Sequence, residues 1–302
     1  MKILVVGAGA VGGYYGTLLA EAGHAVTFVA RGEHGRAIRD GGLHVEAPGG
    51  EHVARADVIA DVKDAPPAAF DLVIVAVKAD ALAEVSAGVG RALAQDGVAL
   101  PLLNGLDSET ELAAVVGKER VVGGIAQIAA RIVAPGRVRA DAPGRLVLGP
   151  LFPEQMPRVE ALAATLSRAG FGCDAKNDLS RVLWTKLLWN APFNAVCALT
   201  RKSAGEVLAV PELALLVERA MHELAAVARA EGVPIDDALI QATLAATRAK
   251  FAGSIPSMLQ DVMNGRPTEA RALQGAVIAR GRVHGISTPI FETLFALVVG
   301  LR

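Results

Sequence analysis

The sequence predicts an α/β domain with a parallel sheet over residues 1–177, followed by an all-α domain over residues 178–302. Two observations lead to this fold class. In the first part, short apolar runs rich in β-branched residues, such as those at 3–6 and 71–77, alternate with helical patterns. In the second part the strand patterns stop, and amphipathic helices are interrupted at Pro211, Pro234, Pro256 and Pro289.

A glycine-rich turn follows the first apolar run and consists of Gly7, Ala8, Gly9, Ala10, Val11 and Gly12. A helical pattern at 14–21 and a second apolar run at 24–30 complete a βαβ unit. Glycines let bare backbone amides approach an anion, and the helix adds its positive N-terminal partial charge. The turn therefore predicts a pyrophosphate site for a dinucleotide. The alternative is a secretory signal, but the five glycines between residues 7 and 16 interrupt its apolar core.

The end of the second strand indicates which dinucleotide is bound, because the ribose 2′ position lies there in this fold. A carboxylate at this point would accept a hydrogen bond from a free 2′-hydroxyl, but the chain has Arg31. A guanidinium suits a 2′-phosphate, so the sequence favours NADP(H) over NAD(H). The alternative is an arginine that ends a strand in solvent. We interpret His34, Arg36 and Arg39 as ordinary surface charge.

Two later strands end in polar residues that we expect at the ligand crevice of the sheet. Lys78 follows the run at 71–77, and Asn104 follows the run at 97–103. On position alone, a solvated lysine and a simple Asn-Gly turn explain these residues equally well. The rest of the domain is predicted to hold a hairpin at 43–55 with exposed histidines, further strands of the same sheet at 121–122, 137–139 and 146–148, a helix at 154–169 and a closing strand at 171–174.

A polar row marks the first long helix of the second part. Lys186, Asn190 and Asn194 are spaced by four residues and point to one side of a helix. Their neighbours are apolar, so these side chains need polar partners, which favours a ligand-facing row. The alternative is a polar helix edge that faces water. Pro192 is expected to kink the helix between the two asparagines. Further on, Ser257 and Glu269 are candidate site residues or first-turn capping residues.

Composition excludes several classes of protein. The 302 residues include 30 Lys and Arg against 31 Asp and Glu, a net charge of −1 that favours neither nucleic acid nor an acidic membrane as a partner. Hydrophobic residues make up 52% and the mean hydropathy is +0.41, yet no apolar run reaches the length of a membrane span. We interpret Cys173 and Cys197 as reduced core thiols of a cytoplasmic protein. The six histidines have no metal-ligand spacing, so we expect no metal.

Taken together, these motifs resemble the ketopantoate reductase (2-dehydropantoate 2-reductase) family nearly from end to end. The resemblance rests on the glycine turn, on Arg31, Lys78 and Asn104, on the row from Lys186 to Asn194, and on the segments at 256–261, 266–269 and 284–289. It implies a Rossmann-type domain joined to a helical domain like that of 6-phosphogluconate dehydrogenase. It also implies NADPH-dependent reduction of 2-dehydropantoate to pantoate, a step of pantothenate synthesis. The sequence leaves a homodimer open, because the apolar last segment at 291–301 can pack either within the helical domain or against a partner.

The resemblance also assigns roles to residues. The lysine matching Lys186 is the proton donor of the family. Substrate or cofactor is held by the residues matching Asn104, Asn190, Asn194, Ser257 and Glu269. NADP is further contacted by the glycine turn, by Arg31 and Lys78, and through backbone at the position matching Ala130.

Two positions depart from the family pattern. Arg271 stands where the family often has an aspartate, and Ala204 stands where it often has an asparagine that can contact substrate. These departures keep open a second hypothesis, a related NAD(P)H-dependent reductase of another 2-oxo acid. A third hypothesis, a non-catalytic NADPH-binding sensor, has no need of the set formed by Lys186, Asn190, Asn194 and Glu269.

Overall fold

The structure is a computed structural model that describes residues 1–301. The chain divides into two compact units. The first consists of Met1–Leu103 and Ser108–Leu179, and the second of Asn104–Asp107 and the residues from Ser180 onward. The segment 104–107, which the sequence analysis placed with the first domain, thus groups with the helical unit.

The first unit alternates strands and helices. In chain order they are β1 (Lys2–Val6), α1 (Ala10–Glu21), β2 (Ala25–Val29), α2 (Gly32–Gly41), β3 (Leu43–Ala47), β4 (Gly50–Ala54), β5 (Asp57–Ile59), β6 (Phe70–Val75), α3 (Leu82–Ala92), β7 (Leu93–Pro101), α4 (Ser108–Val116), β8 (Gly123–Gln127), β9 (Ala130–Ala134), β10 (Arg137–Ala140), β11 (Arg145–Gly149), α5 (Met156–Ser167) and β12 (Gly172–Ala175).

Five parallel strands form the central sheet in the order β5-β2-β1-β6-β7. Successive residues of β1 enter two different cores: Ile3 and Val5 pack on one face of the sheet, and Leu4 and Val6 on the other. Both faces are therefore covered, which explains why β1 is a continuous apolar run. The strand order reverses between β1 and β6, and this is the point at which doubly wound sheets bind their ligands. The Rossmann-type fold that the sequence predicted is confirmed.

The remaining strands do not extend this sheet, and that expectation was wrong. The predicted hairpin β3–β4 exists, but β10 pairs with β3 and β9 pairs with β10, which gives a separate four-stranded sheet. A third sheet has the order β12-β11-β8. Val121 makes only an isolated bridge to Ala99 of the parallel sheet. Apolar alternation locates a short strand but does not identify its pairing partner, which depends on the surrounding packing.

The two histidines of the hairpin are half-buried rather than exposed. His44 lies 2.8 Å from Glu51 and His52 lies 2.6 Å from Glu21, in each case from Nδ1 to a carboxylate oxygen. Each therefore has a carboxylate partner within the first unit.

The second unit is all-α, as predicted. Its helices are α6 (Leu179–Thr200), α7 (Ala204–Leu208), α8 (Pro211–Ala230), α9 (Asp237–Lys250), α10 (Ser257–Met263), α11 (Ala276–Val283) and α12 (Pro289–Val299). A π-helical turn, Arg271–Gly275, leads directly into α11. Pro211 and Pro289 begin helices, where the missing N–H of proline costs nothing. The apolar last segment packs within this unit through Phe291, Leu294 and Val298.

Both cysteines are free thiols in the structure. Burial raises the pKa of Cys173 and of Cys197 to about 12, and a nearby carboxylate adds to each shift. Both thiols are therefore protonated at neutral pH and poor nucleophiles. Within residues 1–301, no helix has the length and apolar character needed to cross a membrane.

Candidate active site

A cleft of about 180 Å³ lies at the carboxyl ends of the parallel strands of the first unit. It is lined by Gly7, Ala8 and Gly9 after β1, by Ala30 and Arg31 after β2, and by Asp61, Lys63, Val77 and Glu84 around them. The predicted turn and the predicted arginine therefore meet in one cleft. Ala10, Val11 and Gly12 form the first turn of α1 beside it.

Glycine is found at three positions of this turn for different structural reasons. Gly7 has a φ of +98°, and a Cβ there would lie 2.7 Å from the Ala76 carbonyl oxygen. A Cβ on Gly12 would lie 2.1 Å from the carbonyl oxygen of Gly7. Gly9 is different, because its Cβ position has no atom within 4 Å. Gly7 and Gly12 shape the turn, whereas Gly9 leaves open space in the cleft.

Arg31 is the N-cap residue of α2 and its side chain is 71% exposed. Its Nη1 lies 3.8 Å from Oε1 of Glu84, which lines the same cleft. At this distance and exposure the pair contributes little to stability. The guanidinium is thus only weakly held at the cleft.

Lys78 and Ala130 occupy other surroundings. Lys78 is exposed and directly follows Val77, which lines the cleft. Ala130 begins β9 in the four-stranded sheet, opposite Ala140. Neither side chain lines the cleft, so the cofactor contacts assigned to these two residues stay predictions.

His34 is a cleft residue that the sequence analysis interpreted as surface charge. It is half-buried in the first turn of α2, and it lines the cleft. Its Nε2 lies 2.8 Å from the carbonyl oxygen of Ala8, and the Gly136 N–H donates to its Nδ1 at 3.1 Å. These partners lie 26 and 102 residues away in sequence. Only its position three residues after Arg31, at the predicted strand end, pointed to this histidine.

The polar row of the second unit lies on α6, which is one helix from Leu179 to Thr200 with Pro192 inside it. Lys186 and Asn190 are half-buried, whereas Asn194 is only 2% exposed. The row therefore runs from partly accessible positions into the core of the unit. Directly before the proline, the carbonyl oxygen of Ala191 accepts from the buried amide of Gln274 at 2.6 Å.

The amide of Asn194 links two helices. Its Nδ2 donates to the carbonyl oxygen of Asn190 at 2.9 Å, and its Oδ1 accepts from the backbone N–H of Met258 at 2.9 Å and from Oγ of Ser257 at 3.3 Å. Asn194 thus fixes the start of α10, including the exposed Ser257, against α6. The structure gives Asn194 this internal role, and its predicted contact with substrate stays a prediction.

Asn104 and Glu269 meet in the helical unit although 165 residues separate them. The Asn104 amide donates to Oε2 of Glu269 at 3.1 Å, and both side chains are half-buried. Gly105 permits this approach: its φ is +110°, and a Cβ there would lie 2.9 Å from the Ala272 carbonyl oxygen. The carboxylate of Glu269 is thereby oriented by an amide, and the backbone carbonyl of Glu269 accepts from the N–H of Leu273, a residue of the π-helical turn.

The segment 104–107 is further fixed by a bidentate ion pair. Arg280 Nη2 lies 2.5 Å from Asp107 Oδ1, and Nη1 lies 3.3 Å from Oδ2. The Arg280 side chain is only 20% exposed, so solvent screens this pair less than a surface pair.

Loss of this pair is expected to destabilise the helical unit. Arg280→Ala should lower the free energy of unfolding by about 1–2 kcal/mol, because it removes a largely buried guanidinium that pairs with both Asp107 and Glu231. Arg282→Ala is the matched control: Arg282 lies on the same helix and pairs with Glu292 at 3.1 Å, but is 72% exposed. Its removal should cost less than about 0.5 kcal/mol. Urea denaturation measures both variants, and equal costs would contradict the distinction.

Comparisons with known proteins identify the family. Residues 3–152 match the family model "Ketopantoate reductase PanE/ApbA", and residues 178–302 match "Ketopantoate reductase PanE/ApbA C terminal". The chain is 34% identical to a 2-dehydropantoate 2-reductase of Halobacterium salinarum, with 99% of this chain and 98% of the relative covered.

Solved structures agree with this match. The structure of 2-dehydropantoate 2-reductase from Geobacter metallireducens GS-15 is 34% identical, with a TM-score of 0.94 and 100% of both chains covered. A ternary structure of D-mandelate dehydrogenase with NADH and anilino(oxo)acetate is 26% identical, with a TM-score of 0.93 over 100% of this chain and 98% of that one.

The fold and the cleft, together with these relatives, define an oxidoreductase built from a Rossmann-type unit and a helical unit. The chain belongs to the ketopantoate reductase PanE/ApbA family. The resemblance found in the sequence is thus confirmed.

Proposed function

We propose that the protein reduces 2-dehydropantoate to pantoate with NADPH, as a step of pantothenate synthesis. The observation that carries the proposal is the hydrogen bond by which the Asn104 amide orients the Glu269 carboxylate. In the same unit, Lys186 and Asn190 share one face of α6. Relatives named 2-dehydropantoate 2-reductase support it over nearly the whole chain.

The first unit fits NADP(H) on its own features. The turn from Gly7 to Gly9 lies before the N-terminus of α1, and the open space at Gly9 leaves room for a pyrophosphate against bare backbone. Arg31 would hold the 2′-phosphate through charge and paired donors. When bound, the nicotinamide supplies a hydride to the ketone carbon of the substrate.

The side chains of the helical unit would handle the oxygen atoms of the substrate. We assign Lys186 as the proton donor, because an ammonium stabilises the negative charge that grows on the ketone oxygen and can transfer a proton to it. Asn190 would hold the carboxylate through its amide donor, and Ser257 would do so when its hydroxyl turns from Asn194 to the substrate. Glu269, oriented by Asn104, would accept a hydrogen bond from a substrate hydroxyl.

A second candidate, a reductase of another 2-oxo acid, is favoured by Arg271. This arginine is exposed in the π-helical turn, two residues after Glu269. Ala204, the other departure from the family pattern, is fully buried in the core of the helical unit. Of the two, Arg271 is therefore the one that can reach a ligand from the surface. The similarity to a D-mandelate dehydrogenase supports keeping this candidate.

A substrate panel tests both candidates. NADPH oxidation at 340 nm is followed with 2-dehydropantoate, pyruvate, 2-oxoisovalerate and phenylglyoxylate, and repeated with NADH. Rapid turnover of 2-dehydropantoate supports the first proposal. A kcat/KM for another 2-oxo acid far above that for 2-dehydropantoate supports the second, and Arg271→Asp should then shift the preference back. Cofactor binding without turnover of any 2-oxo acid would contradict both candidates.

Arg31 is expected to decide between the two cofactors. Arg31→Ser should raise the Kd for NADPH by roughly 10- to 100-fold, the effect of losing a charge-assisted contact of about 1.5–3 kcal/mol, and should change the Kd for NADH little. Titration calorimetry of the purified protein measures both constants. Arg36→Ser, an exposed arginine on the same helix that does not line the cleft, is the control. An equal loss for both cofactors would remove Arg31 from 2′-phosphate recognition.

A further inference from the structure

We propose that His34 is a positioning residue for the dinucleotide: its neutral imidazole holds the Ala8 peptide group so that the glycine turn presents the Gly9 N–H to the pyrophosphate. The inference rests on the proposal that the cleft of the first unit binds NADP(H). It concerns a residue outside the glycine motif, on the first turn of the next helix.

The partners of His34 determine its tautomer. The backbone N–H of Gly136 can only donate, so Nδ1 at 3.1 Å must be the acceptor and carries no hydrogen. The hydrogen then lies on Nε2, which is 2.8 Å from the Ala8 carbonyl oxygen, a group that can only accept. One neutral tautomer satisfies both bonds. An imidazolium has no acceptor for Gly136.

Gly136 is itself a fixed anchor. Its carbonyl oxygen accepts from the His44 N–H of β3 at 2.9 Å, so the turn between β9 and β10 is bonded to the four-stranded sheet. Its φ is +72°, and a Cβ there would lie 3.1 Å from Cβ of Ala37 on α2. A chain of hydrogen bonds therefore leads from β3 through Gly136 and His34 to Ala8.

At the other end of this chain, the Ala8 residue is held on both sides. Its N–H donates to the Val29 carbonyl oxygen at 3.2 Å, and its carbonyl oxygen accepts from His34. The peptide between Ala8 and Gly9 is planar and trans, so its C=O and N–H point in opposite directions. By fixing the Ala8 carbonyl, His34 also fixes the direction of the Gly9 N–H. Gly9 is the N-cap of α1 and lines the cleft.

The test separates positioning of the turn from a general structural role. Calorimetry measures the Kd of wild type and His34→Ala for NADPH, for ADP, which carries a pyrophosphate, and for adenosine 2′-monophosphate, which does not. The melting temperature of the ligand-free protein is recorded for each. We expect His34→Ala to raise the Kd for NADPH and for ADP roughly tenfold, a factor that corresponds to about 1.4 kcal/mol. The Kd for adenosine 2′-monophosphate should stay unchanged. His34→Gln, whose amide offers one donor and one acceptor, should recover part of the loss.

Two further measurements serve as controls: one on a variant of a different histidine, and one on the wild-type protein. His222→Ala removes an exposed histidine of the helical unit, whose Nδ1 lies 3.6 Å from Asp237, and should leave all three affinities unchanged. In the wild-type protein, ¹⁵N NMR of the imidazoles at pH 8 should show His34 protonated on Nε2 and not on Nδ1, a readout that needs no variant.

Three results would overturn the inference. The first is that His34→Ala binds NADPH as tightly as the wild type does. The second is an equal loss for all three ligands together with a lower melting temperature, which indicates a structural role. The third is the Nδ1-protonated tautomer in the wild type. Failure of the proposed function looks different, because the wild-type protein itself would then bind neither NADPH nor NADH.

Discussion

Lys186→Ala is expected to reduce kcat by roughly 10²- to 10⁴-fold, the range that a positioned general acid contributes, while the Kd for NADPH stays near its wild-type value. Lys186 lies on α6 in the helical unit, whereas the residues that fit the cofactor lie in the first unit. Loss of its ammonium would therefore remove the proposed proton donor without touching the glycine turn or Arg31. Stopped-flow turnover and calorimetric titration of NADPH measure the two quantities separately.

Two controls show whether the loss is chemical. The only tryptophans of the chain, Trp184 and Trp189, both lie on α6, so their emission spectrum reports directly on this helix in the variant. Lys250→Ala removes an exposed lysine at the end of α9 and should leave turnover unchanged. Near-normal turnover in Lys186→Ala would contradict the assignment of Lys186 as proton donor. A shifted tryptophan spectrum with weaker NADPH binding would point instead to a structural lysine.

Local patterns predicted the elements of the first unit better than their pairing. The apolar runs and the glycine turn predicted β1, α1 and β2 in order, because a strand that is buried on both faces must be apolar throughout. Among the short strands, β10, β11 and β12 were found, β8 was nearly found and β9 was missed, and the predictions nearest β8, β10 and β11 were assigned to the wrong sheet. Each is only four or five residues long, and its partner is chosen by contacts far away in sequence.

The same distinction applies to the candidate site. The spacing of Lys186, Asn190 and Asn194 predicted one helix face, since a four-residue step is a local property of a helix. It did not predict that Asn194 is buried and bonded to α10, because that contact spans more than 60 residues. His34 was missed for the same reason. Residues whose role depends on distant partners carry no local signal.

The glycine turn provides the second large effect, in a pair of variants that should separate folding from binding. Gly12→Ala is expected to lower the free energy of unfolding by about 3 kcal/mol, because its Cβ would lie 2.1 Å from the Gly7 carbonyl oxygen and 3.0 Å from Val5. Val5 lies in the core and Gly7 is bonded to the Val29 carbonyl oxygen at 3.2 Å, so neither can move away cheaply. Urea denaturation measures this loss.

Gly9→Ala should leave the free energy of unfolding unchanged and weaken the binding of NADPH instead. Gly9 has a φ of −72°, which alanine adopts without strain, and its Cβ would meet no atom within 4 Å. Its stability should therefore equal that of the wild type, as should that of the control Gly41→Ala, another position with open space at Cβ. The added methyl nevertheless occupies the cleft where backbone must approach a pyrophosphate, so the Kd for NADPH should rise about tenfold or more, a loss of at least 1.4 kcal/mol.

The two glycine variants together decide what the turn is for. If the turn only joins β1 to α1, Gly9→Ala should bind NADPH as tightly as Gly41→Ala does. If the turn is a pyrophosphate site, Gly9→Ala should keep its stability and lose affinity, while Gly12→Ala loses stability first. Both variants add one methyl group within four residues of each other. A difference between them must therefore arise from where the methyl lies: against the backbone of Gly7 in one case, and in the open cleft in the other.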